Sequence, residues 1–132
     1  MKKLLITLLL FALATSAQAV TTSEYFDYDA IIRSPEDYKY ISYAVVGRAN
    51  RVYETDVDIA DWVRPMRAVV EVDNDSTQPI LIIFDAPNKP IEEASPVYMI
   101  GICLGTTEIQ SALGFNVVIP VFVASYIEQI EE

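Results

Sequence analysis

The chain is 132 residues long, 52% hydrophobic and 21% charged, with nine basic against nineteen acidic side chains and a formal charge of −10. That composition excludes wholesale disorder and sets the size at one domain. With no histidine and a single cysteine, imidazole bases, His-ligated metals, CxxC motifs and an intramolecular disulfide are all excluded.

Residues 1–19 read as a secretory signal: Lys2 and Lys3, an apolar run from Leu4 to Ala14 broken only by Thr7, then Ala17-Gln18-Ala19 with cleavage expected before Val20. The run is about half the ~20 residues a membrane span needs, and no cysteine follows it for lipid attachment. The expectation is a periplasmic or extracellular protein with no transmembrane segment, its single domain spanning residues 20–132. Loss of the leader removes two lysines, so the charge becomes 7 − 19 = −12 over 132 − 19 = 113 residues. Nucleic-acid binding, which depends on Lys and Arg neutralising phosphates, is disfavoured for such a chain.

Val20 to Tyr28 reads as a loose lead-in, Asp27 to Arg33 as two helical turns stopped at Ser34-Pro35, and Pro35 to Tyr38 as a turn. Ile41 to Tyr53 is a long strand in which Gly47 marks a bulge or bend. Glu54 to Arg64 is an acidic loop. In the next strand Met66, Ala68, Val70 and Val72 share one face, and Arg67, Glu71 and Asp73 the other. Turn chemistry at 74–79 joins it to the strand Ile80–Phe84 in a hairpin. Asp85 to Pro96 holds three prolines and is a loop with room for one helical turn. Val97–Leu104 and Asn116–Ser125 are the last strands, with Gly105 to Phe115 as the connection and Glu128 to Glu132 as an acidic tail. Five strands in this arrangement specify an all-β fold with one short N-terminal helix, a five-stranded Greek-key barrel of the OB type. A β-sandwich normally wants about seven strands.

The stretch Tyr28 to Lys39, with Tyr28, Ile31, Arg33, Pro35, Tyr38 and Lys39 at set spacings, resembles the opening of OB-fold domains, similar to tRNA anticodon-binding domains, in bacterial secreted and envelope proteins. Val45 to Val52, Tyr98 to Gly101, Ser111 to Gly114 and Val118 to Val121 are similar to further elements of that group, so the likeness runs from residue 28 to 127. The sequence departs from the pattern at Tyr40-Ile41, where Gly-Lys is usual, at Ala94-Ser95-Pro96, where a Gly-Asp turn is usual, and at Phe115, where a second glycine is usual. The resemblance implies an OB barrel in a secreted setting and no particular reaction.

Asp73, Asp75 and Thr77 alternate as the start of a calcium loop does, but the glycine and the distal glutamate are missing, and a hairpin turn is the simpler reading. Asp56, Asp58 and Asp61 read as a solvated loop. No metal or cofactor is expected, no carboxylate pair stands out by spacing, and Ser111 and Ser125 have no evident base. Cys103 lies in an apolar run and reads as a buried thiol.

One composition does suggest a surface that binds. Trp62, Arg64 and Arg67, with Tyr53 and Arg51, combine the residue types that anchor interfaces, on or beside the strands where OB barrels take ligands. The last three strands are apolar at nearly every position, so Leu81, Ile83, Ile100, Ile102 and Val118 would face away from the core. Either the N-terminal segment covers them or they form a protein interface or a self-association surface. Tyr98, Phe115 and Phe122 read as core or rim. The expected function is a non-catalytic binding module for a protein; the alternative is a barrel that binds an oligosaccharide or single-stranded nucleic acid. A carboxylate hydrolase is a third class.

Overall fold

The computed structural model describes residues 21–111 and 113–130. The stretch expected to be a secretory signal, 1–19, and the last two residues of the acidic tail lie outside the described residues. The elements are α1 (Tyr28–Arg33), a 3-10 turn (Pro35–Tyr38), and strands β1 (Ser42–Glu54), β2 (Pro65–Val72), β3 (Pro79–Asp85), β4 (Pro96–Gln110) and β5 (Asn116–Gln129).

The strands close into a barrel in the order β1-β2-β3-β5-β4, with β4 returning to β1. All neighbours are antiparallel except β3 and β5, which are parallel over Leu81–Ile83 and Val121–Val123. This is the all-β, OB-type barrel expected from the sequence. Alternation supplies the interior: Tyr43 and Val45 from β1, Ala68, Val70 and Val72 from β2, Ile80, Ile82 and Phe84 from β3, Met99 and Cys103 from β4, and Phe122 from β5 are all buried.

Each end of the barrel has its own plug. Helix α1 starts at Asp27, whose carboxylate accepts the Ala30 N–H at 3.1 Å. It buries Ile31 at one end, and Tyr28 fixes it there by donating its hydroxyl hydrogen to the Pro79 carbonyl at 2.8 Å. At the other end the proline-rich β3–β4 connection inserts Ile91 into the core. Glu93 accepts the Val52 N–H at 3.1 Å there, and no helical turn forms in the connection.

β1 is long enough to serve two neighbours. Ser42–Arg48 pair with β4 and Gly47–Glu54 with β2. Gly47 stands at the changeover, where a Cβ would lie 2.3 Å from the Glu71 carbonyl oxygen. The bulge itself falls later, between Ala49 and Arg51, so Gly47 is required by close backbone approach and not by a bulge.

Three expectations need correction. The lead-in is not loose: Thr22 and Ser23 accept the Val46 and Ala44 N–H groups on their hydroxyls at 3.0 and 2.9 Å, and Ser23 N–H donates to the Ala44 carbonyl at 2.9 Å. The segment thus covers the β1 edge that β2 leaves free. The last two strands are also longer than their apolar runs. Thr106 to Gln110 continue β4 and pair with Asn116 to Pro120, so that among the described residues only Ser111 and 113–115 lie between the two strands. Polar β-branched residues and a bulge at Cys103/Gly105, with Gly105 at φ +105°, hid that continuity. Finally, Phe122 is core but Phe115 stands at the hairpin tip, 67% exposed.

Candidate functional site

Strand register places a small group of side chains outside the barrel on one face. Arg51 pairs with Val69 and Tyr53 with Arg67 across β1–β2, while Val69 pairs with Leu81 and Arg67 with Ile83 across β2–β3. Paired residues share a side, and their neighbours Ala68, Val70, Ile80 and Ile82 point inward. The outer face of the first three strands is therefore a cation–aromatic strip, Arg51-Tyr53-Arg67, beside an apolar strip, Val69-Leu81-Ile83.

The apolar strip is covered by the chain itself. Beyond its pairing with β3, the β4–β5 hairpin leaves the barrel wall and bends back over β3 and β2. Val69, Leu81 and Ile119 form a second buried cluster, backed by Ile109, Val117 and Val121. The hairpin reaches β1, where the Arg51 guanidinium donates to the Gln110 carbonyl at 3.4 Å. A cleft of roughly 290 Å³ remains beneath it, lined by Asn50, Arg51, Glu71, Ser76 and Ser111 over Val69 and Val117.

This corrects the reading of the outward apolar residues. Leu81 is covered, by the hairpin and not by the N-terminal segment. Ile83 and Ile100 are half-buried. Ile102 and Val118 are exposed. Val118 falls on the same side of β5 as Pro120 and Phe122, and is exposed because the hairpin has left the barrel at that point.

The hairpin ends in an apolar tip. Ser111 N–H donates to the Phe115 carbonyl at 2.8 Å and Gly114, at φ +88°, turns the chain. Leu113 and Phe115 are held there 83% and 67% exposed. Sequence reasoning missed this element. The alternation of Thr107 and Ile109 with Glu108 and Gln110, and the spacing of Val117, Ile119 and Val121 along β5, is the signal that would have revealed it.

The five residues singled out from the sequence fall in three places. Arg51, Tyr53 and Arg67 lie together. The Arg67 guanidinium carbon sits 5.8 Å from the Tyr53 ring centroid, and its Nε–H donates to Thr55 Oγ1 at 3.1 Å. Arg64 lies at the end of the β1–β2 loop, in an exposed 3.4 Å ion pair with Glu54, and lines a separate cleft with Met66, Phe84 and Ile91. Trp62 is half-buried in a third cleft with Phe84, Asp85, Pro87 and Tyr126. The loop that carries Arg64 and Trp62 is pinned by Asp85, whose carboxylate accepts the Arg64 N–H at 2.7 Å and the Val63 N–H at 3.1 Å.

Two titratable groups elsewhere serve the fold. Asp75 accepts the Thr77 N–H and O–H at 2.9 and 2.7 Å, which lowers its pKa and forms the β2–β3 turn. Burial raises the Cys103 pKa and favours the neutral thiol. Among the described residues no group of three His, Cys, Asp or Glu side chains could hold a metal ion, and no helix is long and apolar enough to cross a membrane. No protein-family model matches the chain, and no curated protein matches it.

Proposed function

We propose that this chain is a secreted or periplasmic, non-catalytic binding module whose partner is a protein. The observation that carries the reading is where the exposed apolar side chains fall. Of the eleven large hydrophobic residues left exposed among the described residues, six (Ile102, Leu104, Leu113, Phe115, Val118 and Tyr126) belong to the β4–β5 hairpin. The tip adjoins the Arg51-Tyr53-Arg67 strip, and aromatic, apolar and arginine side chains together are the composition of an interface centre. Kinship with the bacterial envelope OB-fold domains is part of the proposal. It is supported by Tyr40 and Ala94, which hold φ +69° and +66° at positions where the group's pattern has glycine.

The test is a pull-down from cell-envelope extract at rising salt, with a Leu113→Ser, Phe115→Ser variant as control. A protein retained by the wild type up to high salt and lost by the variant supports the reading. A nucleic acid or glycan partner is the other outcome: nucleic acid would be released steeply by salt, and either would be indifferent to the tip variant.

A further inference from the structure

We infer that a second site on this barrel takes an extended, basic polypeptide segment, which adds as a strand to the free edge of β5 at residues 125–128. The site is separate from the hairpin tip and does not depend on it. β5 pairs with β4 as far as Gln129, but with β3 only over residues 121–123. Beyond Ile83, β3 stays with β2, where Met66 pairs with Phe84 and Pro65 with Asp85. A gap therefore opens between β3 and β5. Alternate residues of a strand point their N–H and C=O groups to opposite edges, so part of the 125–128 backbone faces that gap. The neighbouring loop bonds elsewhere: Ala86 N–H donates to the Arg64 carbonyl at 3.0 Å, and Glu92 N–H to the Gln129 side chain at 2.8 Å. Among the described residues no backbone bond reaches 125–128 from outside β4.

The gap is a cleft with a fixed aromatic wall. Its volume is about 300 Å³, and Trp62, Phe84, Asp85, Pro87, Tyr126 and Ile127 line it. Trp62 is held from both sides: its backbone N–H donates to the Ile59 carbonyl at 3.1 Å, and Asp85 accepts the N–H groups of Val63 and Arg64 beside it. Its indole N–H has no hydrogen-bond partner among the described residues, and a polypeptide in the cleft offers it a carbonyl. Ser125 is the extra residue of a bulge opposite Ile100 and Gly101, and its hydroxyl donates to the Ile100 carbonyl at 3.2 Å, which ties the bulge on the β4 side. An open strand edge beside a walled cleft is what strand addition requires: main-chain bonds hold the peptide, and the cleft selects alternate side chains.

Charge selects the segment. Among the described residues no Lys or Arg lines the cleft, whereas Asp85 does. Glu128 is exposed, on the same side of β5 as Tyr126. Side chains of an added strand alternate between the side of Phe84 and Ile127 and the side of Tyr126 and Glu128, so apolar residues alternating with Lys or Arg complement both. A second copy of the chain fits less well, because its strands are closed into a barrel and its net charge of −10 repels that of the first.

Trp62 is the chain's one tryptophan, so its fluorescence reads the cleft directly. Protein expressed from the full sequence is titrated with the capped peptide Val-Lys-Val-Lys-Val, with two forms of it N-methylated at the valines or at the lysines, and with Val-Glu-Val-Glu-Val. The parent peptide should give a saturable change. Only alternate amides of an added strand face β5, so one N-methylated form should bind about tenfold more weakly than the other. The glutamate peptide should also bind about tenfold more weakly than the parent. On saturation, amides within 125–128 should gain protection from hydrogen exchange. No fluorescence change, equal affinity of the two N-methylated forms, or no gain of protection at 125–128 overturns strand addition. Equal affinity for the glutamate peptide overturns the basic character of the segment. The Leu113→Ser, Phe115→Ser variant should bind the parent peptide as the wild type does; loss of binding overturns the separation of this site from the hairpin tip.

Discussion

Ile119→Ala should release the hairpin from the face it covers. Ile119 is 1% exposed and sits between Val69 and Leu81 in the cluster outside the barrel. Truncation removes three carbons, worth about 2.4 kcal/mol at ~0.8 kcal/mol each. A residual cavity adds to this, although the hairpin can partly collapse into it, which places the total at about 2.5–3.5 kcal/mol. With a urea m-value of ~1.5 kcal/mol/M, the midpoint falls by about 2 M. Hydrogen exchange should locate the effect, because amides of 106–118 lose protection while those of Val70, Ile82 and Met99 keep theirs relative to global stability. A midpoint shift below about 0.5 M, or equal loss of protection throughout, refutes the claim that this cluster holds the hairpin down.

Other consequences follow from single positions. Gly47→Ala places a Cβ against a backbone carbonyl 2.3 Å away; a loss of more than about 3 kcal/mol, or insoluble protein, is expected, and unchanged thermal melting contradicts it. Ala94→Gly relieves a left-handed φ of +66° and should stabilise by about 0.5–1 kcal/mol, read as a higher melting temperature. Burial raises the pKa of Tyr28 and Tyr43 from 10.0 to about 12. The unfolded chain therefore loses these protons first, and stability is full below pH 10 and declines toward pH 12. Alkaline denaturation monitored by circular dichroism should show that decline, and Tyr28→Phe should weaken it.

Much of the barrel could be read from sequence because its strands obey simple rules. Met66 to Val72 alternates strictly, 74–79 is turn chemistry, and Asp27 ahead of a short apolar helix is a ready N-cap. The site was harder because it depends on non-local geometry. Arg51, Tyr53 and Arg67 come together through the β1–β2 register, which a bulge between Ala49 and Arg51 shifts by a residue. Trp62 and Arg64 lie near Arg67 in sequence, yet Asp85 draws their loop toward the end of β3. The hairpin escaped notice because Thr106, Thr107, Glu108 and Gln110 look like a polar connection until β5 pairs with them. The same folding back explains why Leu81, an outward residue on a strand, is buried without any partner protein.

The hairpin tip and the adjoining Arg51-Tyr53-Arg67 strip are proposed to form one protein-docking surface. A photo-crosslinking residue at position 115, compared with one at position 63, tests it in cells that express the full sequence; Val63 is 91% exposed but lies on the other loop. The account predicts a discrete protein adduct from position 115, absent from position 63 and lost when Arg51→Gln and Arg67→Gln are added. The same adducts from both positions, or none from position 115, would contradict it.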